Sequence, residues 1–172
     1  SLYDAFLADV KDKVAALRQG IPLVTCGSDA DVDCGSMVMD AQLDMVQELV
    51  DDAVKNGARV LTGGMRAAKL NGQFYAPTIV CDVTPDKRIF QEERFGPVMT
   101  VIKVPNNDDA ACLAMVNDSN FGLGSSVYCG DQKRGLALGR QIRSGMLCIN
   151  DFGSNYLIQS LPFGGVKESG FG

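Results

Sequence analysis

Histidine is absent from this 172-residue sequence, and its absence excludes a large class of catalytic sites. Ser-His and Cys-His pairs use an imidazole as general base, so neither arrangement can form within this chain. The usual zinc sites combine Cys with His, and the six cysteines contain no CxxC pair, so we predict no metal site. Chemistry in this chain must therefore use Cys, Lys, Tyr or carboxylate groups, or take place elsewhere.

Clustered positive charge and long apolar runs are also missing. The chain has 16 Lys and Arg against 21 Asp and Glu, a formal net charge of −5, and no basic stretch. Phosphate binding requires clustered cations, so we predict no nucleic-acid partner. No apolar run reaches the roughly 18–20 residues that cross a bilayer. The first twenty residues are charged throughout and do not form a signal peptide.

The hydrophobic content, by contrast, is 46%, which is sufficient for one domain of common size with a buried core. Several cysteines lie inside apolar runs, as in "TIVCDV", "SSVYCG" and "GMLCIN". Cysteines in such runs are typical of buried thiols rather than disulfides. They indicate a reducing intracellular compartment, and we expect the cytoplasm.

The periodicity of apolar residues predicts an α/β fold. A first helix is expected over residues 1–19, with Ser1 and Asp4 in a capping box, and a second helix is expected from a cap at Asp40 to a stop at Gly57. The second half alternates strand and helix, which implies parallel strands joined by helical crossovers. We predict a three-layer αβα arrangement with a mostly parallel sheet.

The tail, residues 151–172, lacks this periodicity. It holds five Gly, one Pro and three Phe. A long irregular segment with aromatic residues often forms a binding surface. Phe152, Tyr156 and Phe163 could form part of an apolar pocket, although a glycine-rich turn with a core aromatic fits equally well. Both ends of the chain are typical of a fragment of a longer polypeptide.

Two acidic stretches could each bind a ligand, but each also has a simpler structural interpretation. "DADVDCG", residues 29–35, resembles a calcium loop, but Cys34 occupies the position that needs Gly, so a solvated acidic loop is favoured. Glu92 and Glu93 precede an apolar run, where an exposed turn is the simpler reading. The functional reading is a carboxylate that accepts hydrogen bonds from the vicinal hydroxyls of a ribose. A general base is less favoured.

Four segments together resemble the NAD(P)-dependent aldehyde dehydrogenase superfamily: "EERFGPVMTVIKV" (92–104), "NDSNFGLGSSVYCG" (117–130), "IRSGMLCIND" (142–151) and "LPFGGVKESGFG" (161–172). The likeness is colinear and covers essentially all 172 residues. It identifies residues 1–172 as the C-terminal portion of a catalytic domain, with residues 151–172 as a substrate-pocket tail. A Rossmann-like cofactor domain and the nucleophile segment would lie upstream.

The resemblance assigns roles to residues that match the family's motifs. Glu93 would hold hydroxyls of the nicotinamide-side ribose of NAD or NADP, and Phe95 would pack beside that ribose. The substrate would be a small-molecule aldehyde, and its pocket would include Asn150, Phe152, Tyr156 and Phe163. The parent protein is expected to be a homo-oligomer, a dimer or tetramer, and an open sheet edge could let the fragment self-associate.

The resemblance also implies that no catalytic residue is in this chain. The family's nucleophilic Cys, its general-base Glu and an Asn that polarises the carbonyl all precede the segment that matches Ser1. In the complete protein an aldehyde would be oxidised to a carboxylic acid through a cysteine thiohemiacetal and thioester. The 172-residue chain alone is therefore expected to be inactive.

Two alternatives stay open at this point. One is a non-catalytic binding or assembly module that reuses the fold, with the same residues serving packing or partner contacts. The other is a relative that makes an acyl-CoA or reduces an acyl phosphate. Both the E-E-x-F-G-P and the P-F-G-G-x-K-x-S-G motifs favour the hydrolytic branch. The choice between NAD and NADP is made at the adenosine ribose, outside this chain.

Overall fold

The computed structural model describes residues 1–21 and 32–172, which form two compact units, Ser1–Lys103 and Val104–Gly172. Residues 22–31 lie outside the described part, and with them Cys26, Asp29 and Asp31 of the predicted acidic loop. Asp33, which is described, accepts hydrogen bonds from the backbone N and Nε of Arg18, both at 2.9 Å. Those bonds to the Arg18 side chain and backbone lower the pKa of Asp33 to about 2.

The first unit contains three helices and one three-stranded sheet: α1 (Leu2–Ala15), α2 (Asp40–Lys55), β1 (Arg59–Thr62), β2 (Thr78–Cys81), α3 (Arg88–Gln91) and β3 (Val98–Val101). The central strand β2 pairs antiparallel with β1 and parallel with β3. The predicted capping box of Ser1 and Asp4 is present at the start of α1. Gly57 follows α2 with φ 96°, a conformation typical of a helix stop.

The core of the first unit lies on both faces of β2. Val80 packs in one cluster with Leu43, Val46 and other residues of α2. Ile79 and Cys81 face the opposite side and pack with Leu7 of α1. Successive side chains of a strand point to opposite faces, so an apolar strand buried on both sides needs a helix on each. The first unit therefore has the predicted αβα layering.

The second unit is built from shorter elements: α4 (Asp109–Asn117), β4 (Phe121–Gly122), β5 (Gly124–Val127), α5 (Gln132–Gly139), β6 (Met146–Ile149), α6 (Ser154–Leu157) and β7 (Val166–Lys167). Strands β5 and β6 pair in parallel and are joined through α5, while β4 and β7 pair antiparallel. Asp108 caps α4 and Asp131 caps α5 through their side chains. A single turn of 3₁₀ helix, Pro105–Asn107, precedes α4.

The α/β fold class is confirmed, with four local corrections. The first helix, expected to reach residue 19, ends at Ala15. Asp40 is the first residue of α2 rather than its cap, and the cap position, Met39, makes no side-chain bond. The antiparallel β4–β7 pair was not predicted. Of the described cysteines, Cys81 and Cys148 are buried, whereas the other three are partly exposed, and all five are free thiols. Within the described residues, every helix is too short or too polar to traverse a lipid bilayer.

Tyr75 offers a test of how the core of the first unit is packed. Its ring is 1% exposed, and its hydroxyl has no hydrogen-bond partner among the described residues. A buried, unpaired hydroxyl costs free energy of folding. We expect Tyr75→Phe to raise the free energy of unfolding by about 1 kcal/mol in urea titrations at pH 7.

The control for this substitution is Tyr3→Phe. The Tyr3 hydroxyl donates to Asp82 Oδ1 at 2.9 Å and accepts from Asp82 N at 3.0 Å, so its removal should cost about 1 kcal/mol. Burial raises the pKa of Tyr75 to about 12, above the ordinary value near 10. Because the Tyr75 hydroxyl ionises first in the unfolded chain, its titration leaves the free energy of unfolding unchanged below about pH 10 and lowers it as the pH rises to about 12. Equal destabilisation by both substitutions would contradict the assignment of an unpaired Tyr75 hydroxyl.

Candidate functional site

The segment between α3 and β3 holds the two adjacent carboxylates, and the structure separates their surroundings. Arg88 donates from Nε and Nη2 to the two carboxylate oxygens of Glu92 at 2.6 and 3.1 Å, and from Nη1 to Glu48 at 2.8 Å. These bonds from Arg88 lower the pKa of Glu92. Glu93 is exposed and makes no hydrogen bond or ion pair with the described residues. Glu92 is therefore engaged, and both oxygens of Glu93 remain available.

The residues that alternate with Glu93 and Phe95 anchor this segment. Arg94 is partly buried and donates from Nη1 to the Ile89 carbonyl at 2.7 Å, and burial lowers its pKa. Gly96 approaches α2 so closely that a Cβ there would lie 2.9 Å from Val46 Cγ2. Phe95, by contrast, is 68% exposed. Arg94 and Gly96 thus hold the backbone of this segment. The residues that alternate with them, Glu93 and Phe95, expose a carboxylate and an aromatic ring.

Three aromatic residues predicted for a pocket come together in the second unit. The ring centroids of Phe152 and Tyr156 are 6.0 Å apart, and those of Tyr156 and Phe163 are 5.5 Å apart, with tilted planes. These separations are typical of favourable aromatic pairs. Each ring nevertheless stays at least half exposed. The cluster thus presents apolar surface that the second unit itself does not cover.

A cleft of about 320 Å³ opens beside this cluster. It is lined by the start of β5 with the residue before it, by Phe152 and by two residues of α6: Leu123, Gly124, Ser125, Ser126, Phe152, Asn155 and Tyr156. Sequence reasoning missed Asn155, which is 8% exposed. A lone Asn in an irregular segment has no distinguishing pattern. Only its burial, which the sequence does not reveal, could have identified it.

Asn150, also predicted for the pocket, ties the ends of β5 and β6 together. Its Oδ1 accepts from Cys129 N at 2.7 Å, and its Nδ2 donates to Cys129 O at 2.9 Å. The residue has φ 55°, a conformation that Asn tolerates better than most residues. Both polar atoms of the Asn150 side chain are thus hydrogen-bonded to the backbone of Cys129. A contact between Asn150 and the substrate stays a prediction.

Asp151 fixes the start of the aromatic segment. Its Oδ1 accepts from Phe152 N at 2.6 Å and Gly153 N at 2.9 Å, and the Ser154 hydroxyl donates to its other oxygen. The hydroxyl bond, followed by the two backbone bonds, lowers the pKa of Asp151. The Phe152 amide is thus held, which fixes the backbone from which the first ring of the cluster projects.

The glycine-rich segment after Phe163 is pinned to the rest of the second unit. Lys167 Nζ donates to the carbonyls of Asn117 at 2.9 Å and Ser119 at 2.7 Å, at the end of α4. The Ser169 hydroxyl accepts from Gly122 N at 3.0 Å. A cation at the last carbonyls of a helix is favourable. These bonds, with the β4–β7 pair, set the position of Phe163.

The candidate residues therefore fall into two groups. Glu93 and Phe95 belong to the first unit, and the aromatic cluster belongs to the second. Two of the described cysteines are unsuited to act as nucleophiles: burial raises the pKa of Cys81, and the Cys148 side chain is likewise buried. Within residues 1–21 and 32–172, no three Cys, Asp or Glu side chains converge to hold a metal ion. The two groups offer binding surfaces rather than an acid–base or nucleophilic centre.

Comparison with known proteins gives one consistent family. The model of the aldehyde dehydrogenase family matches residues 1–172. An aldehyde dehydrogenase-like protein of Saccharomyces cerevisiae is 39% identical over 99% of this chain and 26% of its own length. Succinate-semialdehyde dehydrogenase [NADP(+)] of Deinococcus radiodurans is 38% identical over 99% of this chain and 34% of its length.

The fold agrees with solved structures of the same family. The crystal structure of Mycobacterium tuberculosis aldehyde dehydrogenase complexed with NAD+ superposes with a TM-score of 0.87 and 36% identity. The match covers 99% of this chain and 33% of that one. The chain thus spans about a third of the length of the relatives it matches.

Proposed function

Because the chain belongs to the aldehyde dehydrogenase family, we propose that it is the C-terminal portion of the catalytic domain of an enzyme that oxidises an aldehyde to a carboxylic acid with NAD(P)+. The observation that carries this proposal is the anchored E-E-R-F-G-P segment, residues 92–97. There Glu93 keeps both carboxylate oxygens free of described partners, and Phe95 presents an exposed ring.

The residues present fit a nicotinamide cofactor. Vicinal ribose hydroxyls are two adjacent donors, and an ionised carboxylate accepts from both. Glu93 would hold these hydroxyls, and Phe95 would pack beside the ribose. The bound cofactor, NAD or NADP, would supply the acceptor for the hydride that leaves the substrate. Its relatives include both an aldehyde dehydrogenase complexed with NAD+ and an NADP(+) succinate-semialdehyde dehydrogenase.

The second unit would supply one wall of the aldehyde pocket. Phe152, Tyr156 and Phe163 offer exposed apolar surface against which an aldehyde would pack and displace water. We assign no catalytic role to any residue of this chain. The nucleophilic cysteine and the general base would belong to the part of the parent protein that precedes residue 1.

The proposal extends to assembly and location. The parent would be a homo-oligomer, a dimer or tetramer, and the large exposed side chains of the second unit, such as Leu157 at 80% and Phe171 at 87%, are consistent with further contacts. The free thiols of Cys81 and Cys148, both buried, are consistent with a reducing intracellular compartment such as the cytoplasm. Equilibrium sedimentation of the parent would test its assembly state.

The decisive experiment compares the full-length parent with the 172-residue chain in the same assay. Each is incubated with NAD+ or NADP+ and a panel of aldehydes, and reduced cofactor is followed by its absorbance. We expect turnover to the acid by the parent and none by the isolated chain. A parent that turns over no aldehyde would support the non-catalytic module instead. Turnover that requires coenzyme A or phosphate would indicate the acylating relatives, and an active isolated chain would contradict the assignment of the nucleophile elsewhere.

A further inference from the structure

Arg94 makes the one hydrogen bond that ties the stretch carrying Glu93 and Phe95 to the other described residues. Residues 93–95 belong to no helix or strand, and their backbone N–H and C=O groups make no hydrogen bond with the described residues. Only the Arg94 side chain is bonded, through Nη1 to the Ile89 carbonyl at 2.7 Å, near the end of α3. The guanidinium therefore takes the place that a ladder or helix bond has elsewhere in the chain.

This guanidinium is poorly placed to stabilise the fold. Its Nε is buried and has no hydrogen-bond partner among the described residues. No described carboxylate pairs with it, and burial lowers its pKa. A buried cation without a counter-charge loses hydration that one bond to a carbonyl does not replace. The bond to Ile89 thus holds the segment in place while it contributes little net free energy to folding.

We propose that Arg94 is a positioning residue for the nicotinamide cofactor and acts through Glu93. A carboxylate accepts from two vicinal hydroxyls only when its oxygens are aimed at both, so a shift of the Glu93 backbone weakens both bonds together. Arg88 holds the preceding residue, Glu92, but its ion pairs are largely exposed to water and add little. The inference rests on the proposed function, because it takes Glu93 as the residue that holds the ribose.

The test measures KM for NAD(P)+ and KM for the aldehyde in the full-length enzyme and in Arg94→Met, which keeps an unbranched side chain and removes every donor. We expect KM for the cofactor to rise at least about tenfold, with KM for the aldehyde within about twofold of wild type. The matched control is Arg88→Met, which removes a more exposed arginine near the same segment. It should change KM for the cofactor by less than about twofold. Equal increases of the two KM values in Arg94→Met would overturn the proposal.

Two further measurements separate positioning from a structural role. Arg94→Met should unfold in urea at a midpoint equal to or above that of wild type, because it removes an unpaired buried donor together with the Ile89 bond. A lower midpoint, or a variant that fails to fold, would show that Arg94 holds the fold and would overturn the proposal. Because Arg94 acts through Glu93, adding Arg94→Met to Glu93→Gln should change KM for the cofactor by less than about twofold, and effects that multiply would contradict this coupling.

The failure of this inference is distinguishable from the failure of the proposed function. An enzyme that oxidises aldehydes with an unaltered KM for NAD(P)+ in Arg94→Met keeps its function and loses the inference. If the full-length protein oxidises no aldehyde, the proposed function fails, and calorimetric titration with NAD+ and with NADP+ then decides the inference. Weaker binding by Arg94→Met than by wild type supports it, and equal or absent binding overturns it.

Discussion

Glu93→Gln in the full-length enzyme is expected to lower kcat/KM for NAD(P)+ by about 100-fold, mainly through a higher KM. An exposed carboxylate that holds two hydroxyls makes two charge-assisted hydrogen bonds, each worth about 1.5–3 kcal/mol. The amide retains one oxygen and replaces the other with a donor, which cannot accept from a hydroxyl. Loss of about 2.7 kcal/mol corresponds to 100-fold. Initial rates at varied cofactor concentration, with cofactor binding followed by fluorescence, measure the effect.

Glu92→Gln provides a control with the same chemical change one residue away. Glu92 is already paired with Arg88, so it has little capacity for ribose hydroxyls. Both partners of this pair are close to half exposed, and such surface pairs contribute about 0–1 kcal/mol. We expect cofactor kinetics within about twofold of wild type and a small loss of stability. Similar effects of the two substitutions on KM for the cofactor would refute the separate roles of the two carboxylates.

The contrast between these glutamates shows which part of the site the sequence reveals. Sequence reasoning favoured Glu93 over Glu92 only through the family resemblance, since adjacent carboxylates are chemically identical. The structure adds a physical difference: Arg88 lies four residues before Glu92, one helical turn away along α3, and reaches it. An i, i+4 ion pair is readable in a sequence once a helix is assumed. The four-residue α3 was too short to be predicted from periodicity.

The fold was predictable where local patterns are long. The sixteen-residue α2 carries a regular apolar stripe, and the strands β2 and β6 are apolar runs, so these elements follow from periodicity. The β4–β7 pair has two residues in each strand, Phe121–Gly122 and Val166–Lys167, and no pattern of period two can develop over that length. Pairings across about 45 residues of sequence depend on tertiary contacts that local propensity does not encode.

The pocket was likewise only partly predictable from the sequence. The sequence places Phe152, Tyr156 and Phe163 in one irregular tail, and the structure brings their rings within 6.0 Å of their neighbours. Their contact was a reasonable expectation because they lie close together along the chain. Asn150 and Asn155 have the same side chain five positions apart. One bonds to the backbone of Cys129 and the other is buried at a cleft, a difference that depends on the backbone path and not on residue type.

The second large effect is expected at Gly145, between α5 and β6. A Cβ at this position would lie 2.0 Å from the Gly164 carbonyl oxygen and 2.7 Å from Gly165 Cα. Both contacts are with backbone, which cannot move aside as a flexible side chain can. Gly145 is also held from the other side, because its N–H donates to the Gly122 carbonyl at 3.0 Å. We expect Gly145→Ala to destabilise the second unit by about 3 kcal/mol or more, measured by urea unfolding and amide hydrogen exchange.

The control is Gly153→Ala, where a Cβ would meet nothing within 4 Å and the backbone, at φ −88° and ψ −19°, is in the right-handed helical region. Alanine there should be neutral or stabilising by up to about 1 kcal/mol. The two substitutions add the same methyl group, so a difference in stability isolates the backbone approach of Gly145 to Gly164. Because Phe163 immediately precedes Gly164, Gly145→Ala should also displace its ring from Tyr156. In the full-length enzyme that displacement should raise KM for the aldehyde more than KM for NAD(P)+. Equal increases would show that the segment holds the fold without shaping the proposed pocket.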